Sequence, residues 1–247
     1  MDEKTHFGFK DVPKEQKQGM VKEVFDSVTD QYDLMNDLMS FGIHRLWKKH
    51  AIRCAQLRKN QTILDLAAGT CDLTAQIHST LKGNAQIYAS DINASMLNKG
   101  YERLLDQGIH QNIHFVQANA ECLPFAPSTF DRVFIGFGLR NVTDKAKALK
   151  SIYASLKPGG QLIVLEFSHC TQPMLAKIYD QYSFKLLPKL GQLFANDGAS
   201  YQYLAESIRK HENQEALQQL FLDSGFDDCE YQNICFGVVS IHKGFRY

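Results

Sequence analysis

Thr62-Ile63-Leu64-Asp65-Leu66-Ala67-Ala68-Gly69-Thr70-Cys71-Asp72 reads as a short β run that empties into a turn of small residues. Strand-like runs recur after it at α/β intervals: Gln86-Ile87-Tyr88-Ala89-Ser90 ending at Asp91, then 113–117, 132–137 and 161–167. Helical patterns lie between them. Leu97, Tyr101, Leu104 and Leu105 fall on one helix face behind a cap at Asn93, and Leu149, Ile152, Tyr153 and Leu156 repeat the pattern behind a cap at Thr143. Lys157-Pro158-Gly159-Gly160 is expected to stop the second of these helices and turn the chain into the fifth strand. Strand and helix in alternation imply a doubly wound α/β fold, a mostly parallel sheet covered on both faces.

Outward from that frame, residues up to about Leu57 are helical in texture and predict an N-terminal helical cap, about 1–57. A second helical insertion or lid is expected over about 168–210. After a helix at 215–222, ended by Gly225, two β runs (229–234 and 238–242) flank Cys235-Phe236-Gly237, which is short enough for an antiparallel hairpin. The 247 residues suit a single domain, 1–247, carrying these additions.

Lys plus Arg and Asp plus Glu both number 27, so the formal net charge is zero and nucleic acid is not expected as a partner. The six cysteines are scattered without a C-x-x-C pair, which reads as reduced thiols and no metal site. No signal peptide is read at the N-terminus, and no apolar run approaches the roughly 20 residues of a spanning helix. The expectation is a cytoplasmic protein.

In open α/β sheets, ligands bind beyond the carboxyl ends of strands where the order reverses. The first strand end carries Asp65, Ala67, Gly69, Thr70 and Asp72, a turn that lacks G-x-G-x-x-G and so does not suit a pyrophosphate. Its two carboxylates suit a cationic ligand such as a sulfonium or an amino-acid ammonium. At the second strand end Asp91, followed by Ile92, is placed to accept ribose hydroxyls; at the third, Asn119 and Ala120 are placed for adenine. The fourth carries Gly136-Phe137-Gly138-Leu139-Arg140-Asn141. Taken singly, each of these residues is as well explained as a turn residue or a helix cap; in this order and at this spacing they point to a nucleoside-bearing cofactor.

The sequence resembles the ubiquinone/menaquinone biosynthesis C-methyltransferase family over nearly its whole length. Tyr32-Asp33-Leu34-Met35-Asn36-Asp37-Leu38-Met39-Ser40-Phe41-Gly42-Ile43-His44-Arg45-Leu46-Trp47 and Phe137-Gly138-Leu139-Arg140-Asn141-Val142 carry the resemblance most specifically, supported by Gln117-Ala118-Asn119-Ala120, Leu165-Glu166-Phe167 and Tyr203-Leu204-Ala205-Glu206-Ser207-Ile208. The resemblance implies a seven-stranded Rossmann-like sheet of order 3-2-1-4-5-7-6 with its last strand antiparallel. It implies S-adenosyl-L-methionine as cofactor and contacts from Thr70, Asp91, Asn119 and Ala120. It also implies reduced polyprenyl substrates, 2-methoxy-6-polyprenyl-1,4-benzoquinol and demethylmenaquinol, methylated on ring carbon. Three positions depart from the family pattern: Gly136 stands where serine is frequent, and Ala68 and Cys71 stand where glycines are common. Cys71 then reads as a mild steric variant or an oxidation-sensitive thiol beside the cofactor.

Arg140 and Asn141 are expected to orient a quinol oxygen and stabilise phenolate charge, with Asp72 and Tyr32 helping to bind or deprotonate it through water. A polyprenyl tail raises the question of a membrane. The stretch 173–196 interleaves Leu175, Ile178, Tyr179, Tyr182, Leu186, Leu187, Leu190 and Phe194 with Lys177, Lys185 and Lys189. It fits either a bilayer-surface segment at the inner face of the membrane or a lid over the pocket. A methyltransferase for another apolar acceptor, and a cofactor-binding scaffold in a quinone-synthesis assembly, are the competing readings. Oligomeric state stays open.

Overall fold

The computed structural model describes residues 4–29, 32–40, 42–195 and 197–247, without the side chains of Tyr32, Asp33, Phe194 and Ala195. Along the chain, the N-terminal part comprises β1 (Lys4–Phe7), β2 (Lys10–Pro13), α1 (Lys14–Val28), α2 (Tyr32–Ser40) and α3 (His44–Cys54). The alternating part comprises β3 (Thr62–Leu66), α4 (Asp72–Leu81), β4 (Gln86–Asp91), α5 (Ala94–Asp106), β5 (Ile113–Gln117), β6 (Phe130–Gly136), α6 (Lys145–Ser155) and β7 (Leu156–Phe167). Then come α7 (Pro173–Gln181), α8 (Leu187–Ala195), α9 (Gly198–Lys210), α10 (Gln214–Asp223), β8 (Asp228–Ile234) and β9 (Val239–Arg246).

Seven strands form one sheet in the order β5-β4-β3-β6-β7-β9-β8. Counted within the sheet this is 3-2-1-4-5-7-6, as expected. The pairings from β5 to β7 are parallel, and β9 runs antiparallel to both β7 and β8. Side chains alternate across the pleat and build a core on each face. Ile63, Phe134, Ile163 and Leu165 face Trp47, Ile52 and Leu204 of α3 and α9. Leu64, Leu66, Val133 and Val164 face Leu149, Ile152 and Phe221 of α6 and α10. Both layers are completely buried at their centres, which accounts for the near-continuous apolar runs of β3, β6 and β7.

Several local expectations are corrected. The N-terminal part is not helical throughout: β1 and β2 pair as an antiparallel hairpin turning at Gly8, whose φ is +56°. Its strands are too short to show a period, and a tertiary contact holds them, Phe7 stacking on Tyr203 at 4.3 Å. Lys157–Gly160 does not separate α6 from the fifth strand; β7 already begins at Leu156, with a register shift opposite Phe130 and Arg132 that absorbs the glycines as a bulge. Asp144, not Thr143, caps α6 by accepting from the Lys147 amide at 3.0 Å. On α5 the buried stripe is Met96, Leu97, Gly100 and Leu104, while Tyr101 and Leu105 are exposed; Asn93 does cap this helix.

Candidate active site

The turn after β3 is tightly wound. Ala67, Gly69 and Cys71 all have left-handed φ, at +56°, +53° and +60°. For the two residues with a Cβ this conformation costs about 1–2 kcal/mol each, so the surrounding contacts must hold it. They include the Ala68 amide on Ser90 O at 3.0 Å and the Gly69 amide on Asp91 Oδ2 at 2.8 Å. The other Asp91 oxygen accepts from the Asn93 amide at 2.8 Å. Asp91 is thus fixed at the end of β4 by two N–H groups, with lone pairs left on each oxygen. Burial pushes its pKa up, and these backbone donors work in the opposite direction. At the neighbouring strand end Gly138 has no room for a side chain, because a Cβ there would lie 2.6 Å from that of Ala67.

A cleft with about 850 Å³ of empty space, open to solvent on one side, lies beyond these strand ends. Ala67 and Gly69 of the first turn line it, with Asp91, Ile92 and Met96 from the second strand end and Asn119, Ala120 and Glu121 from the third. Phe137, Gly138, Asn141 and Thr143 complete its floor, and α1 crosses it with Gln18, Val21, Lys22 and Phe25. Among the contacts that hold that helix, Lys17 Nζ donates to Val142 O at 3.2 Å, and Asn93 Nδ2 donates to Asp26 Oδ1 at 2.8 Å. The α1 contribution has no signature in the sequence; only the fold brings residues 18–25 over a turn forty residues later. Asn119 also folds its own loop, accepting the Glu121 amide on Oδ1 at 2.9 Å.

Seven of the expected site residues therefore share the cavity wall: Ala67, Gly69, Asp91, Ile92, Asn119, Ala120 and Asn141. Asp65, Thr70, Asp72, Gly136 and Arg140 stand outside that lining, and the Tyr32 side chain lies outside the described residues. Asp65 is buried below the turn, where Thr74 Oγ1 donates to it. Asp72 is held by Lys48 Nζ at 2.8 Å and by Arg103 at 3.6 Å. Burial raises its pKa, but these two cations outweigh the burial and leave it below the usual carboxylate range. Thr70 accepts from Arg103 at 3.3 Å. A Cβ on Gly136 would touch Leu73 at 3.3 Å.

Arg140 is no surface cation. It is 4% exposed and pairs with the fully buried Glu166 through Nη1 at 2.7 Å, while its backbone amide donates to the second Glu166 oxygen at 3.2 Å. Nη1 also donates to Phe137 O, so the guanidinium fastens the end of β6 from behind the cavity wall. Cys71 likewise faces away from the cavity. It is completely buried, burial drives its thiol pKa far up, and its Sγ would lie 2.4 Å from a Cβ on Gly100. Such a thiol is inert to oxidation.

The paired carboxylates beside the first turn thus stand outside the cavity lining. Asp72 is already neutralised, and burial raises the Asp65 pKa to about 7. The acids in the lining are Asp91 and Glu121. Asp65 therefore acts on stability. Its folded pKa exceeds the unfolded one of about 4, so the folded state binds the extra proton and stability is lost as pH rises from about 4 to about 7. Asp65→Asn keeps an acceptor for Thr74 and removes this dependence. Thermal unfolding should show the variant more stable than the parent at pH 8–9, by at most ~4 kcal/mol, and indistinguishable from it near pH 4. Adenosylhomocysteine should bind both proteins within a factor of about three; a tenfold loss in the variant would put the carboxyl to work in the site.

The family model described as the ubiE/COQ5 methyltransferase family matches residues 10–246. The chain is 56% identical to the ubiquinone/menaquinone biosynthesis C-methyltransferase UbiE of Klebsiella pneumoniae (strain 342) over 245 residues, covering 99% of this chain and 98% of that protein. It is 54% identical to the UbiE of Yersinia enterocolitica over the same coverage. Among solved structures it resembles a Thermotoga maritima SAM-dependent methyltransferase (TM-score 0.62, 18% identity, 91% of this chain and 99% of that one). It also resembles Haemonchus contortus phosphoethanolamine N-methyltransferase 2 in complex with S-adenosyl-L-methionine (TM-score 0.59, 17% identity, 81% of this chain and 52% of that one). The structural likenesses speak for the fold; the match along the whole sequence goes further, and the chain belongs to the ubiE/COQ5 methyltransferase family.

Proposed function

We propose that the protein transfers a methyl group from S-adenosyl-L-methionine to a ring carbon of a reduced polyprenyl quinol in ubiquinone and menaquinone biosynthesis. The substrates are 2-methoxy-6-polyprenyl-1,4-benzoquinol and demethylmenaquinol. The observation that carries this reading is the cavity beyond β3–β6, which holds a backbone-anchored carboxylate in an otherwise mostly apolar wall. The relatives' shared name, C-methyltransferase of quinone biosynthesis, supports the choice of substrate.

The residues present fit the cofactor. Asp91 has lone pairs for two ribose hydroxyls, Asn119 and Ala120 offer an edge for adenine, and the Gly69 and Gly138 backbones leave room for a close approach. Bound there, S-adenosyl-L-methionine supplies a methyl group activated by its sulfonium, so the protein's part is alignment and exclusion of water. Asp91 holds the nucleoside, while Phe25, Val21, Met96 and Phe137 keep water from the reacting atoms. Asn141 lies in the same wall, 3.0 Å from the Tyr203 hydroxyl, placed to meet a ring oxygen as it gains charge. Mass spectrometry of quinones from cells lacking the gene tests the assignment: ring-demethylated precursors accumulate, and a normal quinone profile contradicts it.

A long prenyl tail also calls for a lipid-facing surface, and we assign this to α7 and α8 with the π-helical segment Tyr182–Leu186 that joins them. Tyr179 of α7 is turned inward, where burial pushes its phenol up to about 12, but Met174, Ile178 and Leu193 are 61–77% exposed, and Lys177, Lys185 and Lys189 are exposed among them. Of the aliphatic residues singled out in this stretch, Leu187 alone is buried among those with described side chains, which favours a bilayer-surface role over a closed lid. No helix among the described residues is long and apolar enough to cross a membrane. The protein should co-sediment with anionic vesicles, and the triple variant Lys177→Glu, Lys185→Glu, Lys189→Glu should not. Equal sedimentation of the two would leave the segment a lid.

A further inference from the structure

Asn141 ends a short turn after β6, Leu139–Asn141, and its side chain reaches both the cavity and α9. Its Oδ1 is 3.0 Å from the hydroxyl of Tyr203 on α9. Tyr203 is 5% exposed, and Asn141 is its hydroxyl's only hydrogen-bond partner among the described residues. The direction of this bond follows from burial. Were the amide nitrogen the donor, the phenolic proton would be left without an acceptor in a dry setting, at a cost of about 1–3 kcal/mol. With the hydroxyl as donor, the phenolic proton and Asn141 Oδ1 satisfy each other. Burial also raises the phenol's pKa, so its proton stays in place at any working pH.

The ring is itself clamped. Phe7 of the N-terminal hairpin stacks on it at 4.3 Å and 21°, and the next turn of α9 is tied to the same hairpin by the Phe9 amide on Glu206 Oε2 at 3.1 Å. An amide whose oxygen is held from behind can present only its nitrogen forward. Among the described residues no acceptor takes Asn141 Nδ2, although Asn141 lines the cavity.

We propose that Tyr203 is a positioning residue: by donating its hydroxyl to Asn141 Oδ1 it turns the Asn141 amide nitrogen into the cavity, as a donor to the substrate's ring oxygen. The inference rests on the quinol reading above and deepens it. Methyl transfer forms the ring carbon–methyl bond as the carbon–sulfur bond of the sulfonium breaks. The adjacent hydroxyl first gives its proton to water, and the phenolate so formed pushes an electron pair into the ring. The ring hydrogen displaced by the methyl group then leaves as a proton that restores the hydroxyl. A donor aimed at the phenolate oxygen stabilises it, whereas a flipped amide would set a carbonyl lone pair against it.

Tyr203→Phe keeps the stack on Phe7 and removes only the hydroxyl. With labelled S-adenosylmethionine and a short-chain prenyl methoxyhydroquinone, this variant should lose about tenfold in kcat. KM for the quinol and adenosylhomocysteine binding should stay within threefold. Asn141→Ala should lose at least as much, and adding Tyr203→Phe to it should change nothing more, because the hydroxyl acts through the amide. Unchanged kcat in Tyr203→Phe, or losses that multiply in the double variant, would overturn the proposal. A second readout does not need methyl transfer. The Asn141 side-chain amide resonances, identified by their loss in Asn141→Ala, should move when methoxyhydroquinone is added to the parent and stay put in Tyr203→Phe. Equal movement in both proteins contradicts the positioning role. A parent that shows this pattern yet turns over no quinol contradicts only the functional reading.

Discussion

Asp91→Ala raises the dissociation constant for adenosylhomocysteine at least a hundredfold. The carboxyl is buried and aligned by the amides of Gly69 and Asn93, each at 2.8 Å. Hydrogen bonds to a charged group contribute roughly 1.5–3 kcal/mol each, so losing two ribose contacts costs about 3–6 kcal/mol, or two to four powers of ten in affinity. Alanine also strips the Gly69 amide of its acceptor and loosens a turn that already holds two strained non-glycine residues. Asp91→Asn should fall between the two, since an amide can accept from one hydroxyl but not from both. Calorimetric titration with adenosylhomocysteine measures the difference. A value within threefold of the parent would place the nucleoside elsewhere.

Asp91 was legible in the sequence because its position is set locally. A strand that ends on aspartate, followed two residues later by a helix cap, fixes the carboxylate relative to the next turn with little help from the rest of the fold. The sheet was legible for a similar reason, since alternation of strand and helix at short intervals admits few topologies. Asp65 and Asp72 show where local reading stops. They flank the turn, Asp65 in β3 and Asp72 at the start of α4, but Lys48 on α3 claims Asp72, and Thr74, in the first turn of α4, claims Asp65. Arg140 is the same case: its partner Glu166 is on the adjacent strand, brought level by the pairing of Gly136 with Leu165. An arginine beside an asparagine at a strand end reads as a pair of substrate contacts; the register turns the first into a fastener and leaves the second in the cavity wall. The roof formed by α1 and the hairpin that braces Tyr203 were not legible at all, being products of docking between segments far apart in the chain.

The requirement for a reduced ring follows from the reaction itself. Forming a bond from ring carbon to a methyl group needs an electron pair at that carbon. A quinol supplies it, because its hydroxyl oxygens donate into the ring and do so more strongly once one proton is lost. A quinone carbonyl withdraws density and leaves the same carbon electron-poor. Alignment, and the donor proposed at Asn141, would stabilise charge that only the reduced ring develops. The effect is therefore close to all-or-none.

Transfer of labelled methyl from S-adenosylmethionine should be followed with one prenyl methoxybenzoquinone, held reduced by excess reductant in one arm and held oxidised in the other. The expected result is label on the ring carbon in the reduced arm and no ring product in the oxidised arm; equal rates in the two arms would contradict it.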